Sequence, residues 1–402
     1  MRLILPFPMT SAGGIDSFTC SLISEFIGLI DLVVWVLPDT DRRLERSVAQ
    51  SDRLVVEEFR NARMIAGILT SLRNHAHPEL LRLLAKLMLQ HQLNHLISKH
   101  GITHCLVPSP QDLPALRLKT PVAAVVHDRN WHTFPENSFF CTPAQMDRTI
   151  QEWARSAAAI ITPSRAAQRE VTELCPDYHS KIRVVPEASI VVEHHSVQSD
   201  VNATASTKMP IFYYPGAARA HKGHLSLFRA VRRLASAGHR FRVVLTGWMT
   251  RTLTGYEPSR FPQVERCRTF YLQNRDVLEP YIENLDFCER HQVEELYRTS
   301  RRVVLPSTYE GFGLPLIEAI ARGCRVICSD IEPYKEQIDL YQCADFVQLY
   351  PVDDFQALAA HMEQALLAVD DQRISEVEAH TIANRWTWTD AARAILSILQ
   401  AT

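Results

Sequence analysis

A chain of 402 residues exceeds what one hydrophobic core organises, so two domains are expected, and 46% hydrophobic against 22% charged residues is the balance of a soluble globular protein. The formal net charge of -2 gives no global reason to expect nucleic acid as a partner. Nine cysteines, odd in number and without a Cys-x-x-Cys pair, read as free thiols of a reducing compartment. No run is long enough to span a bilayer, and Pro6 and Pro8 interrupt the apolar start Arg2-Leu3-Ile4-Leu5, which marks a first strand and not a signal peptide. The expected location is the cytoplasm.

In chain order, the first half reads as strands at Leu3–Leu5, Leu32–Leu37, Leu54–Val56, His104–Val107, Val122–Val126, Ala159–Thr162 and Ile182–Val185, with helical stretches between them. Ser11-Ala12-Gly13-Gly14-Ile15-Asp16 follows the first strand and opens a helix, but lacks the Gly-x-Gly-x-x-Gly spacing of a dinucleotide site. Asp39-Thr40-Asp41 has the form of a metal-binding pair, yet sits in a charged, Pro-flanked turn and reads as surface. His75-Ala76-His77 and His91 with His95 have ligand-like spacing without a carboxylate or Cys to complete a set. Between Phe59 and His100, Arg60, Arg63, Arg73, Arg82, Lys86 and Lys99 face a single acid, Glu79, among many leucines. Such a segment either packs on a sheet with its cations snorkelling, or lies on an anionic membrane surface. Val125-Val126-His127-Asp128 ends a strand, which carries His127 to the carboxyl edge of the sheet, with Trp131, Phe134, Glu136 and Phe139 following.

A polar stretch from about Ser196 to Lys208 is the expected interdomain linker, with Asn202-Ala203-Thr204 a sequon of no consequence. Strands resume at Ile211–Tyr214, Phe241–Leu245, Asp286–Cys288, Arg302–Leu305, Arg325–Cys328 and Asp345–Gln348. Alternating strands and helices in both halves predict parallel sheets with crossover helices. The expected fold class is α/β, with two doubly wound Rossmann-like domains facing across a cleft, spanning residues 1–198 and 199–385. Residues 386–402 are expected to form a C-terminal helix that crosses back to the N-terminal domain.

Two constellations in the second half carry chemistry. In the stretch from Tyr213 to His224, a strand, a Pro-Gly turn and an amphipathic helix carry Arg219 and Lys222 to the carboxyl edge, where fixed cations neutralise a departing diphosphate. In Pro306-Ser307-Thr308-Tyr309-Glu310-Gly311-Phe312-Gly313-Leu314-Pro315-Leu316-Ile317-Glu318, a strand passes through glycines into a helix. Backbone N–H groups there suit an anion, and Pro315 gives up only a donor without an intrahelical partner. Glu310 and Glu318 would repel phosphate oxygens, so they are better placed to accept hydrogen bonds from ribose or sugar hydroxyls. The site reads as one for a sugar nucleotide.

The Glu-Gly-Phe-Gly-Leu-Pro run with a second Glu eight positions after the first, preceded by Pro306-Ser307 and followed by Ala319, Gly323 and Ser329-Asp330, resembles the donor motif of the retaining family 4 glycosyltransferases. The resemblance implies the GT-B fold, with donor held by the C-terminal half and acceptor by the N-terminal half. It implies transfer of a hexose or 6-deoxyhexose from a nucleotide diphosphate sugar to a hydroxyl of a glycan or lipid-linked acceptor, with retention and without metal or other cofactor. By it, His127, Lys222 and Glu310 are the catalytic candidates. Gly14, Arg219, Lys222, Gly311, Phe312, Gly313, Leu314 and Glu318 are the donor-binding candidates, Arg219 standing two positions after the family's usual arginine. The arrangement around His127 and Phe134-Pro135-Glu136 looks most like members that build surface polysaccharides. A sugar-nucleotide epimerase of the same fold and an inactive interaction subunit are the alternatives.

Overall fold

The computed structural model describes residues 1–6, 14–38, 48–59, 78–138, 141–189, 209–368 and 373–402. Ser11 to Gly13, Asp39 to Asp41, His75 to His77, Phe139, Asn202 and the polar stretch 196–208 lie outside these residues. The chain divides into two compact units, Met1–Glu187 with Trp388–Thr402, and Ala188–Thr387.

The first unit is built on seven parallel strands: β1 (Arg2–Pro6), β2 (Leu32–Pro38), β3 (Leu54–Phe59), β4 (His104–Val107), β5 (Val122–Val125), β6 (Ala159–Thr162) and β7 (Ile182–Val184). Their order is β3-β2-β1-β4-β5-β6-β7. Strands β5 and β6 are buried throughout, which is why they read as unbroken apolar runs. Helices α1 (Gly14–Leu29), α2 (Pro78–His100), α3 (Pro143–Ser156) and α4 (Arg165–Leu174) form its crossovers. Of the segment 59–100, residues 60–77 lie outside the described residues, and α2, which covers the rest, packs on the sheet along one side. Ala85, Leu89, Leu93, Leu96 and Ile97 are buried in one cluster with Ile4 of β1 and Val34 and Val36 of β2. Arg82 is tied to Thr149 and Glu152, and Lys99 to Glu57. Leu80, Leu83, Leu84 and Leu87, at helical spacing on another side of α2, are exposed.

The second unit holds six parallel strands, β8 (Ile211–Pro215), β9 (Arg242–Thr246), β10 (Ile282–Asp286), β11 (Arg302–Leu305), β12 (Val326–Ser329) and β13 (Val347–Tyr350), in the order β10-β9-β8-β11-β12-β13. The longer helices are α5 (His224–Ser236), α6 (Pro262–Gln273), α7 (Arg290–Thr299), α8 (Pro315–Ala321), α9 (Glu332–Tyr341), α10 (Phe355–Leu367) and α11 (Glu376–Ala383). A last helix, α12 (Trp388–Gln400), belongs to the first unit. It packs on α1 through a Phe18–Trp388 edge contact at 5.7 Å and a Thr389–Glu25 hydrogen bond of 2.6 Å.

Two expected strands are displaced. The strand placed at Asp286–Cys288 is Ile282–Asp286, an edge strand half-exposed along its length. An edge tolerates Glu283, paired with Arg242 at 2.9 Å, and Asn284, so the apolar signal is absent. The strand placed at Asp345–Gln348 begins only at Val347, because Ala344–Phe346 form a 3-10 turn.

In both sheets strand order reverses beside the first strand, between β1 and β4 and between β8 and β11. The loops that leave the carboxyl ends of such a pair diverge to opposite sides and open a crevice. In the second unit that places residues 216–223 beside residues 306–314.

Candidate active site

The loop after β8 and the loop after β11 interlock through backbone. Gly223, at φ +65°, approaches Pro306 so closely that a Cβ on it would lie 1.8 Å from the Pro306 carbonyl oxygen. The Thr308 N–H donates to the His221 carbonyl at 2.8 Å, and the Tyr214 hydroxyl donates to the Lys222 carbonyl. These contacts bring Lys222 Nζ to 2.6 Å from Glu310 Oε1. His224 and His221 flank the loop with their rings buried. Burial, aided by the Lys222 charge, pushes His224 down to about 3 and His221 well below the usual histidine range, so both are neutral.

Arg219 takes a different place from Lys222. Its guanidinium stacks over the Trp248 ring at 4.8 Å from the centroid, Trp248 lying just beyond the end of β9.

The Gly-rich turn is set by Gly313, whose φ of +90° and contact with Tyr334, 2.5 Å from a Cβ built there, admit no larger residue without a shift. Leu314 begins the helical turn and α8 follows, with Leu316 N–H donating to the Gly313 carbonyl and Glu318 N–H to that of Leu314. The N–H groups of Gly313 and Leu314 have no acceptor among the described residues. Gly311 and Phe312 are buried, so Phe312 offers a ligand backbone and not its ring. Glu318 accepts a hydrogen bond of 3.1 Å from the hydroxyl of Tyr297, a residue buried beneath it. Arg322, bidentate to Glu294 at 2.7 Å on each oxygen, stacks on the Tyr297 ring.

The structure thus brings Lys222, Glu310, Gly313, Leu314 and Glu318 onto adjoining loops and the first turn of α8 in the second unit. His127 and Gly14 belong to the first. The two ring nitrogens of His127 are both engaged there, Nδ1 with Glu187 Oε1 at 2.9 Å and Nε2 with the Pro108 carbonyl at 2.9 Å, while Phe18 meets the ring edge-on at 4.7 Å. Burial works against the charged form of His127, but the hydrogen bond and charge of Glu187 outweigh it and raise the ring above its usual range. Gly14 is exposed at the start of α1, and a Cβ added to it would meet nothing within 4 Å.

Tyr297, Tyr334, Gln337 and Trp248 escaped the sequence reading. Trp248 alone had a local signal, as an aromatic next to Gly247 just after a strand. No group of three or more His, Cys, Asp or Glu among the described residues could hold a metal ion.

Two units on parallel sheets, each with the strand-order reversal beside its first strand, have the GT-B fold, and residues 198–373 match the model of the glycosyl transferases group 1 family. Among solved structures, the chain aligns over its whole length with Anabaena HepE in complex with UDP-glucose, covering 100% of each chain at 13% identity and a TM-score of 0.69. Sucrose-phosphate synthase from Thermosynechococcus elongatus aligns at a TM-score of 0.65 and 16% identity, covering 100% of this chain and 96% of that one. By sequence, the chain is 25% identical over 275 residues to O-antigen chain mannosyltransferase B of Escherichia coli, covering 65% of each protein. It is 30% identical over 135 residues to the serotype-specific mannosyltransferase WbdA of Escherichia coli, covering 33% of this chain and 15% of that one.

Proposed function

We propose that this protein is a retaining, metal-independent glycosyltransferase that moves a hexose or 6-deoxyhexose from a nucleotide diphosphate sugar to a hydroxyl of a growing glycan or lipid-linked acceptor. The observation that carries the reading is the Lys222–Glu310 pair beside the N–H groups of Gly313 and Leu314, at the switch point of the second sheet. One ammonium and two convergent N–H donors suit a diphosphate whose negative charge grows as the sugar departs. Glu310 accepts from the sugar hydroxyls and Glu318, braced by Tyr297, from the ribose. Lys222 and the backbone donors supply the charge that a divalent cation supplies elsewhere. Arg219 with Trp248 offers a stacked cation at the rim for the phosphates or the base.

The names of the Escherichia coli relatives support a hexose as the transferred group and a surface polysaccharide as the product, and the UDP-glucose held by HepE supports a nucleotide-sugar donor. In this reading the enzyme works in the cytoplasm at a membrane face, and the exposed leucines of α2 are its point of peripheral contact.

A thermal-shift screen with nucleoside diphosphates tests the donor site, since a ligand at 100 times its dissociation constant adds about 2.7 kcal/mol of stability. Sugar transfer from a panel of UDP- and GDP-hexoses, measured with and without acceptor and in excess chelator, tests the rest. Acceptor-dependent turnover that survives chelation is the expected result. Donor consumption without acceptor points to an epimerase, and loss of activity that magnesium restores ends the metal-independent mechanism.

A further inference from the structure

We infer that Gln337, on α9 and remote from any ligand surface, is a positioning residue that aims the two backbone N–H groups of the donor loop. The inference rests on the reading of those groups as diphosphate donors. Gln337 is fully buried, and its Nε2 donates to two successive carbonyls, that of Phe312 at 2.5 Å and that of Gly313 at 3.2 Å. A trans peptide is planar, so its C=O and N–H point in opposite directions. The carbonyl of Phe312 shares its plane with the N–H of Gly313, and the carbonyl of Gly313 with the N–H of Leu314. Drawing both carbonyls toward one amide therefore turns both N–H groups to the side away from α9.

In an extended chain successive carbonyls face opposite ways. The positive φ of Gly313, followed by the right-handed Leu314, lets two of them reach the same donor and lets the two N–H groups converge, the arrangement of a backbone nest for anions. The Gln337 amide can take only one orientation here, because its oxygen in place of Nε2 would face two carbonyl oxygens. That oxygen, Oε1, is buried and finds no hydrogen-bond partner among the described residues. A buried amide with an unpaired oxygen weakens a core relative to an apolar side chain of the same size. That cost is offset by what the nitrogen does for the loop, where it gives hydrogen bonds to two carbonyls. Tyr334, one turn earlier on α9, presses on Gly313 from the same side and leaves the loop no room to swing back.

The test is calorimetric titration of wild type, Gln337→Met and Gln337→Leu with GDP and guanosine and with UDP and uridine, alongside urea unfolding. Both variants should still unfold cooperatively, at a midpoint somewhat below wild type, because the Phe312 carbonyl loses its donor. Each should bind the diphosphate about tenfold or more weakly, while binding of the nucleoside moves by less than about twofold, since only the diphosphate meets the reoriented groups. Gln337→Glu supplies a readout that a packing role would not move. Its carboxyl, when protonated, can donate to one carbonyl, so diphosphate affinity should be recovered in part at acid pH and fall as the group ionises. Wild type that binds the diphosphate with Gln337→Met or Gln337→Glu binding it equally tightly at every pH overturns the inference. Wild type that binds neither diphosphate overturns the functional reading on which it rests.

Discussion

Lys222 Nζ sits 2.6 Å from Glu310 Oε1, both side chains largely withdrawn from solvent at 18% and 10% exposure, although 88 positions separate them in sequence. They meet because β8 and β11 are neighbours at the reversal of strand order, so the loops leaving their carboxyl ends share one crevice. Each holds the other's charge in place before a ligand arrives, and an entering diphosphate must share the ammonium with the carboxylate.

Removing the ammonium separates its two tasks. Lys222→Ala should lower turnover about a hundredfold or more, as loss of a charge partner of the transition state does, and should also leave Glu310 unpaired and the fold weakened. Adding Glu310→Gln should return much of the stability and none of the turnover. Steady-state kinetics and urea unfolding on wild type and the two variants check this, and near-normal turnover in a folded Lys222→Ala removes the lysine from the mechanism.

The two acids should differ in kind. Glu318→Gln weakens hydrogen bonds made equally in ground and transition states, so it should chiefly raise the nucleotide dissociation constant. Tyr297→Phe, which removes the hydroxyl bracing Glu318 at 3.1 Å, should act in the same direction and less strongly. Glu310→Gln alters the residue proposed to hold the moving sugar and should chiefly lower the rate constant. The reverse pattern in single-turnover kinetics would exchange their roles.

What could be read in the chain and what could not divides along physical lines. Val303-Val304-Leu305 and Ile160-Ile161 announce themselves because strands covered on both faces need unbroken apolar runs, whereas Ile282–Asp286, at an edge, carries Glu283 and Asn284 and gives no such sign. Gly313 was legible as a turn glycine, and its positive φ and close contact are the reason, whereas Gly223 drew no such reading. The residues that hold the site from behind were not legible. Gln337 reaches a loop 24 and 25 positions away, Tyr297 meets an acid 21 positions on, and His127 is held by Glu187 60 positions on. Partnerships at such separations have no periodicity, and only the packed fold creates them.

The two turn glycines should differ in their tolerance. Alanine at position 223 puts a methyl 1.8 Å from a backbone carbonyl that cannot rotate away, and at position 313 it meets the ring of Tyr334 at 2.5 Å, a side chain able to yield slightly. Gly223→Ala should therefore cost about 3 kcal/mol or more, and Gly313→Ala less, given the roughly 1–3 kcal/mol that a strained backbone conformation alone adds. Gly313→Ala should nonetheless be the more damaging to nucleotide affinity, because it moves the N–H donors. Equal stability of Gly223→Ala and wild type in urea would refute the interlock of the two loops.

His127 should make stability depend on pH. Its two partners, a carboxylate and a carbonyl, can only accept, so both ring nitrogens carry protons and the ring is charged in the folded state. A histidine raised above its ordinary value of 6.5 stabilises the fold fully below that value, and the contribution fades as pH rises through the folded value. The difference in unfolding free energy between wild type and His127→Gln should be largest below the ordinary histidine value and shrink as pH rises through the folded one. A difference that stays constant across that range, or grows, would show that the ring is neutral in the folded protein.

The anomeric outcome discriminates mechanism most sharply. Inversion needs a base that deprotonates the acceptor as it attacks the face opposite the leaving group. In the second unit the acids beside the proposed donor cradle are Glu310, held by Lys222, and Glu318, held by Tyr297, and both are better suited to grip donor hydroxyls than to activate an acceptor. Attack from the leaving-group face instead lets a departing phosphate oxygen take the acceptor proton, while Lys222 and the N–H groups of Gly313 and Leu314 carry the charge left on the diphosphate. An α-linked donor should then give an α-linked product, read from the anomeric coupling constant in the proton NMR spectrum of the first product formed. A β-linked product would place the base elsewhere and defeat front-side transfer at this site.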